Sequence, residues 1–205
     1  MDGSEPDVNR SGRQAGVDGL AQPAGLVSRA AAFAFDYLLI AGYLALLVAL
    51  GAAVGWAFPD AVARAFGQPL RAQAIGFALV TLPVGLYFAL SEASGWRATW
   101  GKRRLGLVVV GPAGARVGLG RSLARTGVKF VPWELAHAAV WGVTLAGGEL
   151  TLAHQVPLAL TWLLVGANAV GIGVGRRAVY DVLVGTRVVR AEVGAASAGR
   201  VFARP

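Results

Sequence analysis

Residues 28–58 read SRAAAFAFDYLLIAGYLALLVALGAAVGWAF. From Ala30 to Phe58 there are 29 residues, and Asp36 is the only charged one. A helix of that length exceeds the bilayer's hydrocarbon thickness of about 30 Å at 1.5 Å per residue. A carboxylate at the centre of such a helix costs about 2.5–3.5 kcal/mol on insertion scales, so it must face protein or water and find partners. Arg29 stands seven residues earlier, about 10.5 Å along the same helical face. The two share a face without touching, and each is expected to pair with another element. Arg121, Arg125, Lys129 and Asp181 are the candidate counterparts.

The rest of the chain repeats the apolar pattern. Of its 205 residues 56% are hydrophobic and 15% charged, against about 25% charged in soluble domains, and the mean hydropathy is +0.58. Uncharged or nearly uncharged runs occupy residues 30–58, 72–91, 130–148 and 150–175. The third holds Pro132, Glu134 and His137 and is settled by charge. If all four runs span, one side carries 17 of the 19 Lys and Arg residues and the other only Arg64 and Arg71. That asymmetry is the positive-inside pattern. The expected fold is an all-α polytopic membrane protein with four transmembrane helices, both termini cytoplasmic, in the plasma membrane.

A small cytoplasmic β element is expected beside the helices. GLVVVGPAGARVGLG (106–120) has the pattern of a hairpin, and GTRVVRAEV (185–193) alternates like a strand. Residues 26–193 form the membrane domain. Residues 1–25, rich in Gly, Ser, Pro and Asp, read as a disordered cytoplasmic tail rather than a cleaved leader, and 194–205 as a second tail.

Composition excludes several functions. The net charge of +8 resides between apolar runs, where it sets topology and attracts anionic lipid headgroups, so no nucleic-acid partner is expected. Without cysteine there is no thiolate nucleophile or cysteine metal site. His137 and His154, the two histidines, fall on opposite halves of the membrane, so no metal is expected. GWRATWGKR (95–103) fails as a phosphate loop, because five residues separate its glycines and Arg103 stands where Ser or Thr is required. No nucleophile–base–acid arrangement is present, so no enzyme and no cofactor is expected.

The polar residues within apolar runs are the candidate site. Asp36, Glu134 and His137 could line an ion or solute pathway, with Asp36 as the expected titrating or cation-binding carboxylate, Arg29 as its electrostatic tuner and Asp181 as a cytoplasmic-side partner. They could equally staple helices together. Glu134 and His137, three apart on one face, could exchange a proton or form one buried pair. Arg121, Arg125 and Lys129 make a basic stripe at i, i+4 and i+8. Gly51 with Gly55, and Ala167, Gly171 and Gly175, allow close helix packing and a possible homo-oligomer. Arg29 and Asp181 are expected to meet, tying the first span to the segment after the fourth.

Taken in order, these motifs resemble the RDD family of small bacterial membrane proteins, named for one Arg and two Asp residues. Arg29 and Asp36 in RAAAFAFD match the first Arg and Asp, and Asp181 in RRAVYDVLVGTRVV the second Asp. TWGKRRLGLVVV (99–110) is similar to the family's Thr-x-Gly-Lys loop, and RSLAR (121–125) to its following Arg-rich segment. Tyr180 stands where the family commonly has His. The resemblance covers about Leu26 to Val193. It implies a transporter or transport accessory for a small ion or solute and names no substrate. A non-transporting scaffold or assembly factor is the alternative.

Overall fold

The computed structural model describes residues 22–191; the expected tails fall almost wholly outside them. Helix α1 (Leu26–Ala57) is continuous over 32 residues. Helix α2 (Pro59–Phe66) follows a break at Phe58, and Asp60 lies in its first turn, where a carboxylate suits the helix dipole. The second long segment is α3 (Pro69–Gly76), a π-helical turn (Phe77–Thr81) and α4 (Leu82–Ala93).

That π-turn has an identifiable cause. Pro83 has no N–H to give the carbonyl four residues earlier, and its ring crowds that carbonyl. The freed Leu79 oxygen instead accepts the Tyr43 hydroxyl of α1 at 2.5 Å.

A short helix α5 (Trp100–Arg104) leads into strand β1 (Leu107–Val110). Helix α6 (Leu119–Leu145) runs 27 residues through Pro132. Helix α7 (Leu152–Gly175), a short α8 (Val179–Val184) and strand β2 (Arg187–Arg190) complete the described chain.

Among the described residues, three helical segments are long and apolar enough to cross a membrane: Leu26–Ala57, Pro69–Ala93 and Leu152–Gly175. The expected third span is embedded in α6, whose apolar part after Lys129 ends at Leu145. That stretch is about 16 residues and contains Glu134, short of the roughly 20 that a span needs.

Helix α6 packs against α3 and α4 on one side and α7 on the other. The Thr161 hydroxyl of α7 donates to the Pro132 carbonyl at 3.1 Å and to Pro157 at 2.8 Å. At the far end Gly142 admits the His154 ring, which would lie 2.6 Å from a Cβ there.

The sheet differs from the expected hairpin. Strand β1 pairs antiparallel with β2, Leu107 opposite Arg190 and Val110 opposite Arg187. The turn after β1 leaves a single bridge, Val110 to Arg116. Pro112–Gly114 forms a 3₁₀ turn, so the chain curls back without building a second strand. Residues 22–24, assigned above to the tail, line the free edge of β2: Ala24 N–H donates to Val188 at 2.9 Å, and Pro23 bridges Val189. Ala24, Ala32, Leu107, Val109, Val117 and Val188 form the core that seats this sheet on the start of α1.

Candidate functional site

The Thr-x-Gly-Lys segment explains the carboxylate in the first apolar run. Asp36 is 1% exposed. Its Oδ1 accepts Gly101 N–H and Tyr87 O–H, both at 2.7 Å, and its Oδ2 accepts Thr99 O–H at 2.6 Å. The Thr99 oxygen also accepts Lys102 N–H at 3.4 Å, capping α5, the ordinary use of Thr at that position. Gly101 lies on the α1 backbone between Ala32 and Asp36. The expected cationic partner is not found: among the described residues, no Lys or Arg lies within ion-pair distance of Asp36. Neutral donors converge on it instead, and a carboxylate needs hydrogen bonds as much as countercharge.

Behind α5 lies a chain of alternating charges. Lys102 Nζ pairs with Glu92 Oε1 at 2.5 Å, and Arg125 pairs with Glu92 Oε2 at 2.5 Å and Asp181 Oδ1 at 2.9 Å. Arg29 closes the chain on Asp181 Oδ2 at 2.6 Å. The expected meeting of Arg29 with Asp181 is thus present, and Arg29 also donates to the carbonyls of Ala24 and Arg176. Glu92 and Asp181 are fully buried and Arg125 is 1% exposed. These pairs join α1, α4, α5, α6 and α8 in one network.

Asp181 is further held by Thr186 O–H at 3.0 Å. Burial pushes the Asp181 carboxyl up, but the Arg125 and Arg29 guanidiniums outweigh it and hold the group at about 2, below its ordinary 3.8. Tyr180, in place of the family's His, lies under the Arg125 guanidinium at 4.9 Å; burial pushes its phenol up.

The basic stripe divides three ways. Arg125 enters the network, Arg121 stays exposed, and Lys129 sits 3.4 Å over the Phe88 ring. Lys102 lies 5.6 Å from the same ring. Among the described residues no carboxylate lies within ion-pair distance of Lys129.

Glu134 and His137 do not form the expected pair. The His137 ring stacks on Trp133, with centroids 4.4 Å apart, and its Nδ1 faces the Trp133 carbonyl at 3.0 Å. Glu134 turns to the other segment, where Gln73 Nε2 donates to it at 2.6 Å and Thr81 O–H donates to its second oxygen. Trp133 Nε1 donates to Thr81 at 3.1 Å. The carboxylate therefore belongs to the α3/α4–α6 interface, where it borders a cavity of about 480 Å³.

Tyr87, Glu92, Thr99, Gly101 and Lys102 are the residues whose roles the sequence reading missed. Glu92 carried a signal, since it follows twenty uncharged residues, and Thr99, Gly101 and Lys102 carried one in the Thr-x-Gly-Lys loop. Among the described residues no cluster of His, Asp and Glu is placed to hold a metal ion.

Several membrane-length apolar helices, tied at one end by a buried ion-pair network and a two-stranded sheet, define a polytopic membrane protein. The chain belongs to the RDD family, whose sequence profile matches residues 23–185. It is also similar to proteins named "Putative ribose uptake protein RbsU" in Staphylococcus aureus. Those of strains COL and MSSA476 are each 30% identical and that of strain N315 is 29% identical, over 139 residues. The match covers 61% of this chain and 45% of each relative, so the chain spans less than half of their length. No solved structure matches.

Proposed function

We propose that the chain is a small membrane transporter or transport accessory for an ion or small solute. The observation that carries this reading is Glu134. It is a carboxylate at the middle of α6, with no Lys or Arg within ion-pair distance among the described residues, bordering an open pocket between α6 and the membrane-length segment Pro69–Ala93. Ionisable groups within membrane segments are costly, and those that face a protein interior or cavity are candidate solute or ion pathway residues. The distant likeness to proteins named for ribose uptake supports the same class.

In this reading Arg29, Asp36 and Asp181 hold the helices that frame the path, and Glu134 meets the solute. No enzymatic step is involved. The test is proteoliposome flux across candidate ions and sugars, with wild type and Glu134→Gln reconstituted at equal density. Flux at least about tenfold above empty vesicles, lost in the variant, is the expected result. Absence of flux for every solute with the wild type would remove the reading.

A scaffold or assembly role is the second reading, favoured by the Arg29–Asp181–Arg125–Glu92–Lys102 chain, in which every charge is paired.

The proposed topology has four spans, α6 providing the third, with both termini on the cytoplasmic side of the plasma membrane. Helix α6 is about 40 Å long at 1.5 Å per residue, and the 17-to-2 division of basic residues favours this arrangement. The sheet then lies at the cytoplasmic surface, where Arg-rich segments would meet anionic lipid headgroups. Gly51 and Gly55 have open space around them, which leaves a face of α1 for lipid or a second copy. Reporter fusions after residue 62 should give an external signal, and fusions after 115 and 195 an internal one. An internal signal at 62 would overturn the topology.

A further inference from the structure

Two adjacent arginines follow Gly175 at the end of α7, and they take opposite paths. Arg177 turns inward, where its Nη2 donates to the carbonyls of Asp181 at 3.0 Å and Thr186 at 3.2 Å. Arg176 gives that interior only its backbone carbonyl, which accepts Arg29 at 2.9 Å. Its guanidinium lies over Gly25, where a Cβ would sit 2.5 Å from Nη1. The lack of a side chain at Gly25 is what seats it there. This is the positive end of α1, which repels a cation rather than holding it.

Arg190 of β2 comes to the same place. Arg176 and Arg190, with Gly25, Val27, Ser28 and Gly173, line an open hollow of about 640 Å³. Arg190 Nη2 donates to Ser28 Oγ at 3.3 Å. Among the described residues, no carboxylate lies within ion-pair distance of either guanidinium. Two like charges bordering one hollow repel each other unless an anion lies between them. Planar guanidinium donors match the oxygens of phosphate and carboxylate groups.

The apolar part of the wall narrows the choice of anion. Val27 is 82% exposed, and Val170, one turn before Gly173 on α7, is 64% exposed. Both belong to membrane-length helices, so the hollow opens where the hydrocarbon layer ends. A free anion would leave that apolar strip uncovered. A lipid covers it while its phosphate meets the arginines, and basic pockets between membrane helices are known seats for anionic headgroups.

We infer that this hollow binds an anionic phospholipid, its phosphodiester between Arg176 and Arg190 and one acyl chain along Val27 and Val170. The site is separate from the Glu134 pocket and from solute transport. It holds on whichever face of the membrane the sheet lies.

The test is native mass spectrometry of the full chain released from mild detergent. It is titrated with dioleoylphosphatidylglycerol, with dioleoylphosphatidylcholine and with inorganic phosphate. Both lipids carry the phosphodiester, but the choline cation would crowd the two guanidiniums. The first phosphatidylglycerol should therefore bind at least about fivefold more tightly than the first phosphatidylcholine, and millimolar inorganic phosphate should not displace it. Arg176→Gln should weaken phosphatidylglycerol about fivefold, the worth of one basic residue beside an anionic surface. Arg104→Gln removes the same charge from another exposed site and should leave the affinity unchanged. Gly25→Ala keeps every charge and has a backbone conformation open to alanine, φ −75° and ψ 174°. Its Cβ displaces the Arg176 guanidinium, so it should weaken phosphatidylglycerol a few-fold without lowering the melting temperature of the lipid-free protein. Equal affinity for the two lipids overturns the inference and requires no variant to fold. Arg104→Gln costing as much as Arg176→Gln overturns it, since the attraction would then be diffuse. Displacement by inorganic phosphate overturns the lipid as the source of the phosphoryl group. Phosphatidylglycerol preference without flux of any solute upholds the site and removes only the transport reading.

Discussion

Gly101→Ala is expected to abolish recovery of folded protein. A Cβ at this position would lie 1.9 Å from the Ala32 carbonyl oxygen and 2.9 Å from Asp36 N. Both are backbone atoms of a long helix, so no side chain can rotate away to make room. Relief requires α5 to move off α1 by more than an ångström. That motion breaks the 2.7 Å bond from Gly101 N–H to Asp36 and disturbs the 2.6 Å bond from Thr99. Overpacking costs about 1–3 kcal/mol by itself, and a buried carboxylate stripped of donors adds more. The sum is at least about 3 kcal/mol. Gly95→Ala is the control, because nothing lies within 4 Å of a Cβ there. The measurement is the monodisperse fraction in detergent and its melting temperature. Equal values for the two variants would show that α5 does not pack on α1 as described.

The same contacts show which parts of the fold the sequence could reveal. Asp36 in a 29-residue uncharged run announces a buried carboxylate by its cost, and the run itself announces a span. The identity of its donors was hidden, because Tyr87, Thr99 and Gly101 approach from 51 to 65 residues away along the chain. Charge alone suggested a cation, whereas hydroxyl and backbone N–H groups meet the same need. Strand β2 was legible from its alternation. The partner of β1 was not, since a Gly-Pro-Ala-Gly turn looks like a hairpin whether or not a second strand follows it. Glu134 and His137 share a helical spacing that permits contact and does not require it. Packing of α6 against α3 and the π-turn decides the matter by presenting Gln73 and Thr81 to Glu134.

Glu92→Gln is expected to destabilise the protein more than Arg125→Met, although Arg125 makes contacts to two carboxylates. The order follows from which charge is left without a partner. Without Arg125, Lys102 is still on Glu92 and Arg29 still on Asp181. Without the Glu92 charge, Arg125 keeps Asp181, but the Lys102 ammonium loses the carboxylate it pairs with. Breaking a buried pair by deleting one partner costs about 3–5 kcal/mol, because the other charge stays desolvated. Glu92→Gln should fall in that range, and Arg125→Met below it. Lys102→Met introduced into Glu92→Gln removes the stranded ammonium and should recover at least half of the loss. Melting in detergent at one pH and salt concentration reads all four proteins. Should Arg125→Met prove the more damaging, or Lys102→Met fail to recover Glu92→Gln, charge balance would not be what holds these five elements together.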